Sequence, residues 1–237
     1  MYEAVHARPD GDGTVARLAR TAADSGFDGV VVRNHSDASA SRAYDAATIA
    51  NRYGIDVVSG IEIRAPDPQH ASGAVGNART TETIVAVHGG TASLNRFAAE
   101  NEKVDVLAHP MAGRGDINHV IVKAAKANGV RIEFNLGDVL RTSGGRRVRT
   151  IQSLRKLREI VGYYDAPYVV SADPRSHLEL RAPRELQALG EQLGFSSDWI
   201  EHGLAEWGRL AARNRAIDSE SFIEPGVKRG RYEDDDC

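Results

Sequence analysis

Residues 104–135 read VDVLAHPMAGRGDINHVIVKAAKANGVRIEFN. Val104 to Ala108 is a short apolar run of strand type, Ile117 to Asn128 repeats its apolar residues at helical spacing, and Val130 to Phe134 is strand-like again. Gly129 stands where the helix needs a C-cap. Strand, helix and strand in so short a span imply a parallel pair joined by a crossover helix.

The same alternation extends in both directions. Five more strands are expected: Tyr2 to His6, Val30 to His35, Ile55 to Glu62, Thr83 to His88 and Tyr168 to Asp173. Every strand but Val130 to Phe134 runs into a histidine or an acid on its C-terminal side, the strand of the opening stretch ending at His109. Helical spacing is read over Gly13 to Ser25, with Val15, Leu18, Ala19 and Ala22 on one stripe, and over Ser41 to Tyr53, closed by Gly54. Ala92 to Glu100, Pro183 to Leu193 and Asp198 to Asn214 are further helices, the last placing Trp199, Ile200, Leu204, Trp207, Leu210 and Ala211 on one stripe suited to core packing. Pro66 to Thr80, rich in Gly, Ala, Pro and Asn, reads as a long loop. Seven parallel strands fit either a closed barrel or an open doubly wound sheet. The turn after the first strand, Arg8 to Gly13, lacks the glycine order of a dinucleotide fingerprint, and no P-loop is present, so the barrel is preferred. The expected organisation is one α/β barrel domain over residues 1–216, of TIM-like type, followed by a polar tail over 217–237 that ends in acidic residues and is expected to be disordered.

Composition narrows the function classes. The 237 residues suffice for one α/β domain, 41% hydrophobic and 27% charged residues are ordinary for a globular chain, and no apolar run approaches the roughly 20 residues that cross a bilayer. The N-terminus opens directly into a strand pattern, so a cytoplasmic protein without membrane partners is expected. Cys237 is the single cysteine, which excludes an internal disulfide or a cysteine-built zinc site. Net charge is only −3, yet 25 of the 30 basic residues are arginine, a side chain suited to bidentate phosphate contact. A GC-rich genome or salt adaptation produces the same bias.

The basic residues bunch. Residues 140–158, LRTSGGRRVRTIQSLRKLR, hold Arg141, Arg146, Arg147, Arg149, Arg155, Lys156 and Arg158 and no acid. A loop of Ser143, Gly144 and Gly145 running into a basic helix suits an irregular polyanion, and RNA is the first partner to suspect. A helix face paired with acids from elsewhere is the alternative. Arg175 and Arg181 are expected on the same face.

Taken in order, His6, His35, Glu62, His88, His109, Asp173 and His177 are residue types that hold divalent metals. Asn34-His35, Gly60-Ile61-Glu62, His109-Pro110 and Ser171-Ala172-Asp173 with His177 resemble motifs of the polymerase-and-histidinol-phosphatase (PHP) phosphoesterases. That resemblance implies a metal set of His6, His35, Glu62, His109, Asp173 and His177 and a metal-dependent phosphoesterase as the alternative function. The departures point to a decayed site: Ala4 precedes His6 where that family has a His-x-His pair, Asn34 replaces an aspartate, and Asp173 and His177 stand four residues apart.

A second resemblance spans nearly the whole chain. Val106 to Pro110, Asp116 to His119, Lys123-Ala124-Ala125, Ile132 to Asn135, the basic segment, Ser171 to Arg175, Arg184-Glu185-Leu186 and Leu193-Gly194 are similar to the family of archaeal ribonuclease P protein component 3, counterpart of the eukaryotic thirty-kilodalton subunit. The resemblance implies a PHP-like barrel and a non-catalytic subunit of the ribonucleoprotein that trims 5′ leaders from precursor tRNA. It further implies that the RNA subunit and its magnesium carry the chemistry, that this chain binds no cofactor, and that its partners are ribonuclease P RNA, precursor tRNA indirectly, protein component 2 and other protein subunits. Under it, Arg141, Arg146, Arg147, Arg149, Arg155, Lys156, Arg158, Arg175 and Arg181 contact RNA, while His109, Glu133, Asn135 and Asp173 brace strand ends.

Overall fold

A computed structural model describes residues 1–38 and 44–218, together with the backbone of 222–224 and 227–228. Seven strands, β1 (Tyr2–Val5), β2 (Gly29–Val32), β3 (Asp56–Ile63), β4 (Ile84–His88), β5 (Val106–Ala108), β6 (Arg131–Asn135) and β7 (Tyr168–Ser171), form one all-parallel sheet in sequence order. Crossover helices α1 (Val15–Asp24), α2 (Ala46–Tyr53), α3 (Pro68–Ala78), α4 (Ala92–Glu100), α5 (His119–Asn128), α6 (Gly137–Arg141) and α7 (Gly144–Tyr164) intervene, and α8 (Pro183–Leu193) and α9 (Ser197–Ile217) follow β7. The sheet curls into a nearly closed seven-stranded barrel, the preferred one of the two expected arrangements. Among the described residues no helix is long and apolar enough to cross a membrane.

Two apolar layers hold it. The outer one packs helices onto the sheet, with Leu18, Val30, Val85, Leu107, Ile132, Phe134 and Leu157 among its buried members. The inner layer fills the barrel with alternate strand residues, Ala4, Val31, Val58, Ile84, Ala86, Val106, Ala108 and Val169, joined by Trp207, Leu210 and Ala211 of α9. Helix α9 therefore plugs the end where the strands begin. The Asn214 side-chain amide donates to the Thr83 carbonyl, Glu206 accepts from Arg131, Arg215 pairs with Asp56, and the Trp207 indole N–H donates to the Val170 carbonyl at 2.9 Å. Gly203 and Gly208 permit this approach: a Cβ there would lie 2.4 Å from Val170 and 2.5 Å from the Tyr2 ring. The stripe expected on this helix is buried at Ile200, Leu204, Trp207, Leu210 and Ala211, while Trp199 is half-buried and stacks on Tyr168.

No ladder pairs β7 with β1, and a buried carboxyl joins them instead. Glu3 accepts from the Ser171 hydroxyl at 2.7 Å and from the Ala172 and Ala4 amides. Burial pushes this carboxyl up to about 7 against those hydrogen bonds.

Three boundaries differ from expectation. The stretch read as a loop at 66–80 contains α3, capped by Asp67 and started by Pro68, with Ala71, Val75 and Ala78 buried at helical spacing. Small residues conceal the period because they carry little hydrophobicity. Ser143, Gly144 and Gly145 do not form a separate loop; Ser143 is the N-cap and the glycines the first turn of α7. Within 217–237, Ile217 closes α9 and Phe222–Glu224 pairs antiparallel with Val227–Lys228; the acidic end, with residues 41–43 of the expected second helix, lies outside the described residues.

Candidate functional site

Inward positions recur at every second strand residue, and toward the C-terminal ends they turn from apolar to charged. Arg33, two residues beyond inward-facing Val31, occupies the middle of this mouth and is fully buried. Its guanidinium lies 2.6 Å from Glu133 Oε1, 2.9 Å from Asp173 Oδ1 and 3.3 Å from Glu62 Oε2, and sits over the Trp207 ring at 5.5 Å. Burial opposes charge on Arg33, Glu62 and Asp173. The three carboxylates hold Arg33 protonated, and Arg33 in turn keeps Glu62 and Asp173 ionised well below the usual carboxylate range.

Imidazoles ring this centre. His6 and His35 stack at 4.4 Å and share Asp10, whose Oδ2 lies 2.6 and 2.8 Å from their Nδ1 atoms. Burial disfavours the His6 charge, but Asp10 and Asp173 outweigh it and raise its pKa. Burial is likewise outweighed at His35, which Asp10 and Glu62 push up to about 9; half-exposed Arg64 lies 2.9 Å from His35 Nε2 and pairs with Asp37. His88 reaches Glu62 at 2.5 Å, and His109 Nε2 stands 3.7 Å from Glu62 and 3.6 Å from Asp173. His109 and Asp173 have left-handed φ of 47° and 52°, conformations costing on the order of 1–3 kcal/mol each and typical of functional strand ends.

The structure thus gathers His6, His35, Glu62, His109 and Asp173 of the expected metal set. His177 joins none of these contacts, and its Nδ1 is buried without a partner among the described residues. Two triads, His6, Asp10, His35 and His35, Glu62, His88, bring metal-type ligand atoms within 4.8 Å of one another. A dication fits poorly between them. Arg33 already supplies the central positive charge, Glu62 and Asp173 are engaged by it, and the Asp10 oxygen that would ligate an ion is the acceptor for two imidazoles. Arg33 and Asp10 escape a reading confined to histidines and acids at strand ends. Counting every second residue from Val31 places Arg33 inside.

The basic segment divides into two groups. Arg155 and Arg158 donate to carbonyls of Leu193 and Gly194, Lys156 pairs with Asp116, and Arg141 donates to carbonyls of Ala172 and Asp173. Arg175 is tied to Asp10, and Arg181 to the Leu178 and Leu180 carbonyls. Arg146, Arg147 and Arg149, in contrast, are exposed, and among the described residues their guanidinium groups make no hydrogen bond or ion pair. They crown the first turns of α7, where no side chain caps the helix amides. Acids from elsewhere therefore pair with Lys156 and Arg141 but leave this end of the helix positive.

Beside them opens a cavity of about 640 Å³, bounded by the loop after β5, the ends of β6 and the inner face of α7. His109, Glu133 and Asn135 line it, which puts three of the four expected bracing residues at its wall. Glu133 accepts the His109 amide and Asn135 Oδ1 accepts the Gly137 amide, whereas Asn135 Nδ2 is buried without a partner among the described residues.

Comparison with known proteins gives consistent matches. A family model described as RNase P subunit p30 matches residues 1–218. A Haloarcula marismortui protein named ribonuclease P protein component 3 is 59% identical over 235 residues, covering 99% of this chain and 98% of that protein. A chain of a cryo-EM structure of archaeal ribonuclease P with mature tRNA superposes with a TM-score of 0.84 at 22% identity, covering 98% of this chain and 99% of that one. Histidinol phosphate phosphatase from Lactococcus lactis, solved with zinc, L-histidinol and phosphate, reaches 0.53 at 12% identity over 82% and 94%. At these identities both structures speak to the fold, and the likeness to the phosphatase is distant.

Proposed function

Because the chain belongs to the RNase P subunit p30 family, we infer that it works as a protein subunit of ribonuclease P, the endonuclease that removes 5′ leaders from precursor tRNA. RNA and protein are its partners. Within that assembly its contact with RNA runs through Arg146, Arg147 and Arg149, and the observation that carries this assignment is their lack of any acid while neighbouring cations are consumed within the fold. An uncapped helix N-terminus beneath three free guanidinium groups is a favourable phosphate surface. Arg141, Arg155, Arg158, Arg175 and Arg181 serve the fold first, since each already donates to the protein's own acceptors.

Protein component 2 is the expected protein neighbour, precursor tRNA is reached through the assembly, and the cytoplasm is the expected compartment. Chemistry rests with the RNA subunit and its magnesium. Support for a chain without its own metal comes from Arg33, which neutralises the carboxylates that an ion would need. The phosphoesterase alternative is set aside on the same ground, and because its structural likeness is remote.

The test is reconstitution of precursor tRNA cleavage from the RNA subunit and its protein partners, with this chain, without it, and with Arg146→Gln, Arg147→Gln and Arg149→Gln combined. Omission should reduce magnesium-dependent 5′ trimming. The triple variant should weaken RNA binding and flatten the dependence of log K on log salt by up to about one unit for each phosphate no longer neutralised. Unchanged trimming without the chain would overturn the subunit role, and an unchanged salt slope would remove the three arginines from the RNA surface.

A further inference from the structure

The cavity beside α7 is larger than any phosphate contact needs. Its volume of about 640 Å³ lies within the range of roughly 300–1,000 Å³ typical of sites for organic ligands. Pro110, Met111, Leu154 and Leu157 give it apolar walls, while Asn135, Asp138 and Thr150 place polar groups among them and Arg146 and Arg149 stand at its edge. An amide nitrogen buried without a partner, as Asn135 Nδ2 is, costs free energy until something accepts from it.

We propose that this cavity is a subsite for one unstacked nucleotide of a single-stranded RNA segment, its base held between the apolar walls and its phosphate by Arg146 and Arg149. The inference rests on the assignment of α7 as an RNA surface and specifies what that surface reads. The side chains of Pro110, Met111, Leu154 and Leu157 can contact the faces of a base, and single-stranded RNA is recognised by splaying out bases and hydrogen-bonding their edges. A duplex keeps its bases stacked and can present only phosphates here. The polar groups inside divide into donor and acceptor: Asn135 Nδ2 donates to a ring nitrogen or carbonyl, and the Asp138 carboxylate accepts from an exocyclic amino group. Adenine, cytosine and guanine offer an amino group beside an acceptor, and uracil offers its N3–H beside carbonyl oxygens, so the edge of any base can meet this pair. The Asp138 carboxylate also repels phosphate from the interior, which orients the nucleotide with its charge outward.

The experiment measures binding of fluorescently labelled eight-residue oligomers of A, C and U, and of an RNA hairpin duplex, to the full chain by anisotropy at one salt concentration. Two variants probe the cavity without touching a basic residue. Ser153→Phe fills it from the half-buried face of α7, and Asn135→Asp keeps the acceptor for the Gly137 amide while replacing the free donor by an acid. Each variant should lose about tenfold on single strands of A, C and U alike, the scale of one lost buried hydrogen bond or contact, with duplex affinity held within about twofold. Parental single-strand affinity in either variant overturns the subsite. The arginine triple variant separates the two levels. If it weakens duplex and single strand alike while the cavity variants weaken neither, the RNA surface stands and only the nucleotide subsite falls; if it weakens nothing, the RNA surface itself falls.

Discussion

Arg33 decides the character of the mouth. One fully buried guanidinium faces Glu62, Glu133 and Asp173, and removing one partner of a buried ionic cluster strands the others without compensation. Arg33→Met is expected to cost about 3–5 kcal/mol, measured by urea denaturation at neutral pH. Part of that loss should return near pH 5 as stranded carboxylates take up protons. A loss under about 1 kcal/mol, or no recovery on acidification, would show that the cluster does not hold the barrel mouth. At this scale the sequence was partly legible. His6, His35, Glu62, His88, His109 and Asp173 announce themselves by residue type and by position after a strand. Arg33 does not, because an arginine is ordinarily a surface residue, and only the inward parity shared with Val31 reveals it. Asp10 escapes for a different reason: it lies in a turn, four residues beyond His6, and no periodicity reaches it.

Among elements, α9 and α7 divide stability from contact. Trp207 is fully buried inside the barrel, where its ring carries Arg33 and its N–H satisfies the Val170 carbonyl. Trp207→Ala should lower stability by about 3–5 kcal/mol. Trp199→Ala, on the same helix but half-buried, should cost less, and thermal unfolding of the two variants makes the comparison. Equal losses would mean that α9 acts as an outer cover and not as a plug. The apolar stripe of this helix was readable from spacing, but its place inside the sheet was not, since an apolar stripe fits either face of a barrel wall. The converse case is α3, whose boundaries are set by Asp67 and Pro68 and whose buried face is Ala71, Val75 and Ala78. Alanine and glycine carry helix geometry without a hydrophobic signal. The split within the basic segment was likewise hidden, because the acceptors for Arg155 and Arg158 are main-chain carbonyls from α8 and its cap, which no count of acids would find.

Over the whole molecule, the seam between β7 and β1 sets how stability follows pH. The folded pKa of Glu3, about 7, lies above the ordinary 4.5, so its contribution is fully present below the lower value and is lost as pH rises through the upper one. The stability attributable to this group should fall by on the order of 3 kcal/mol between those limits. Glu3→Gln should remove that decline, read as the difference between the denaturation midpoints of parent and variant across pH 4.5 to 8. Parallel curves would show that Glu3 does not titrate in the seam. The two ends of the barrel carry different tasks: α9 seals the end where strands begin, and the opposite end holds the charged mouth, the free arginines and the cavity. The positive charge at the centre of that mouth has one more consequence. Metal ions can be stripped by a chelator, replaced by a more competitive ion, or withheld when the cell is starved of them. A guanidinium arrives with the polypeptide and cannot be exchanged. Every copy of this chain therefore acquires the same central cation on leaving the ribosome and folding, whatever trace elements the cell has in supply.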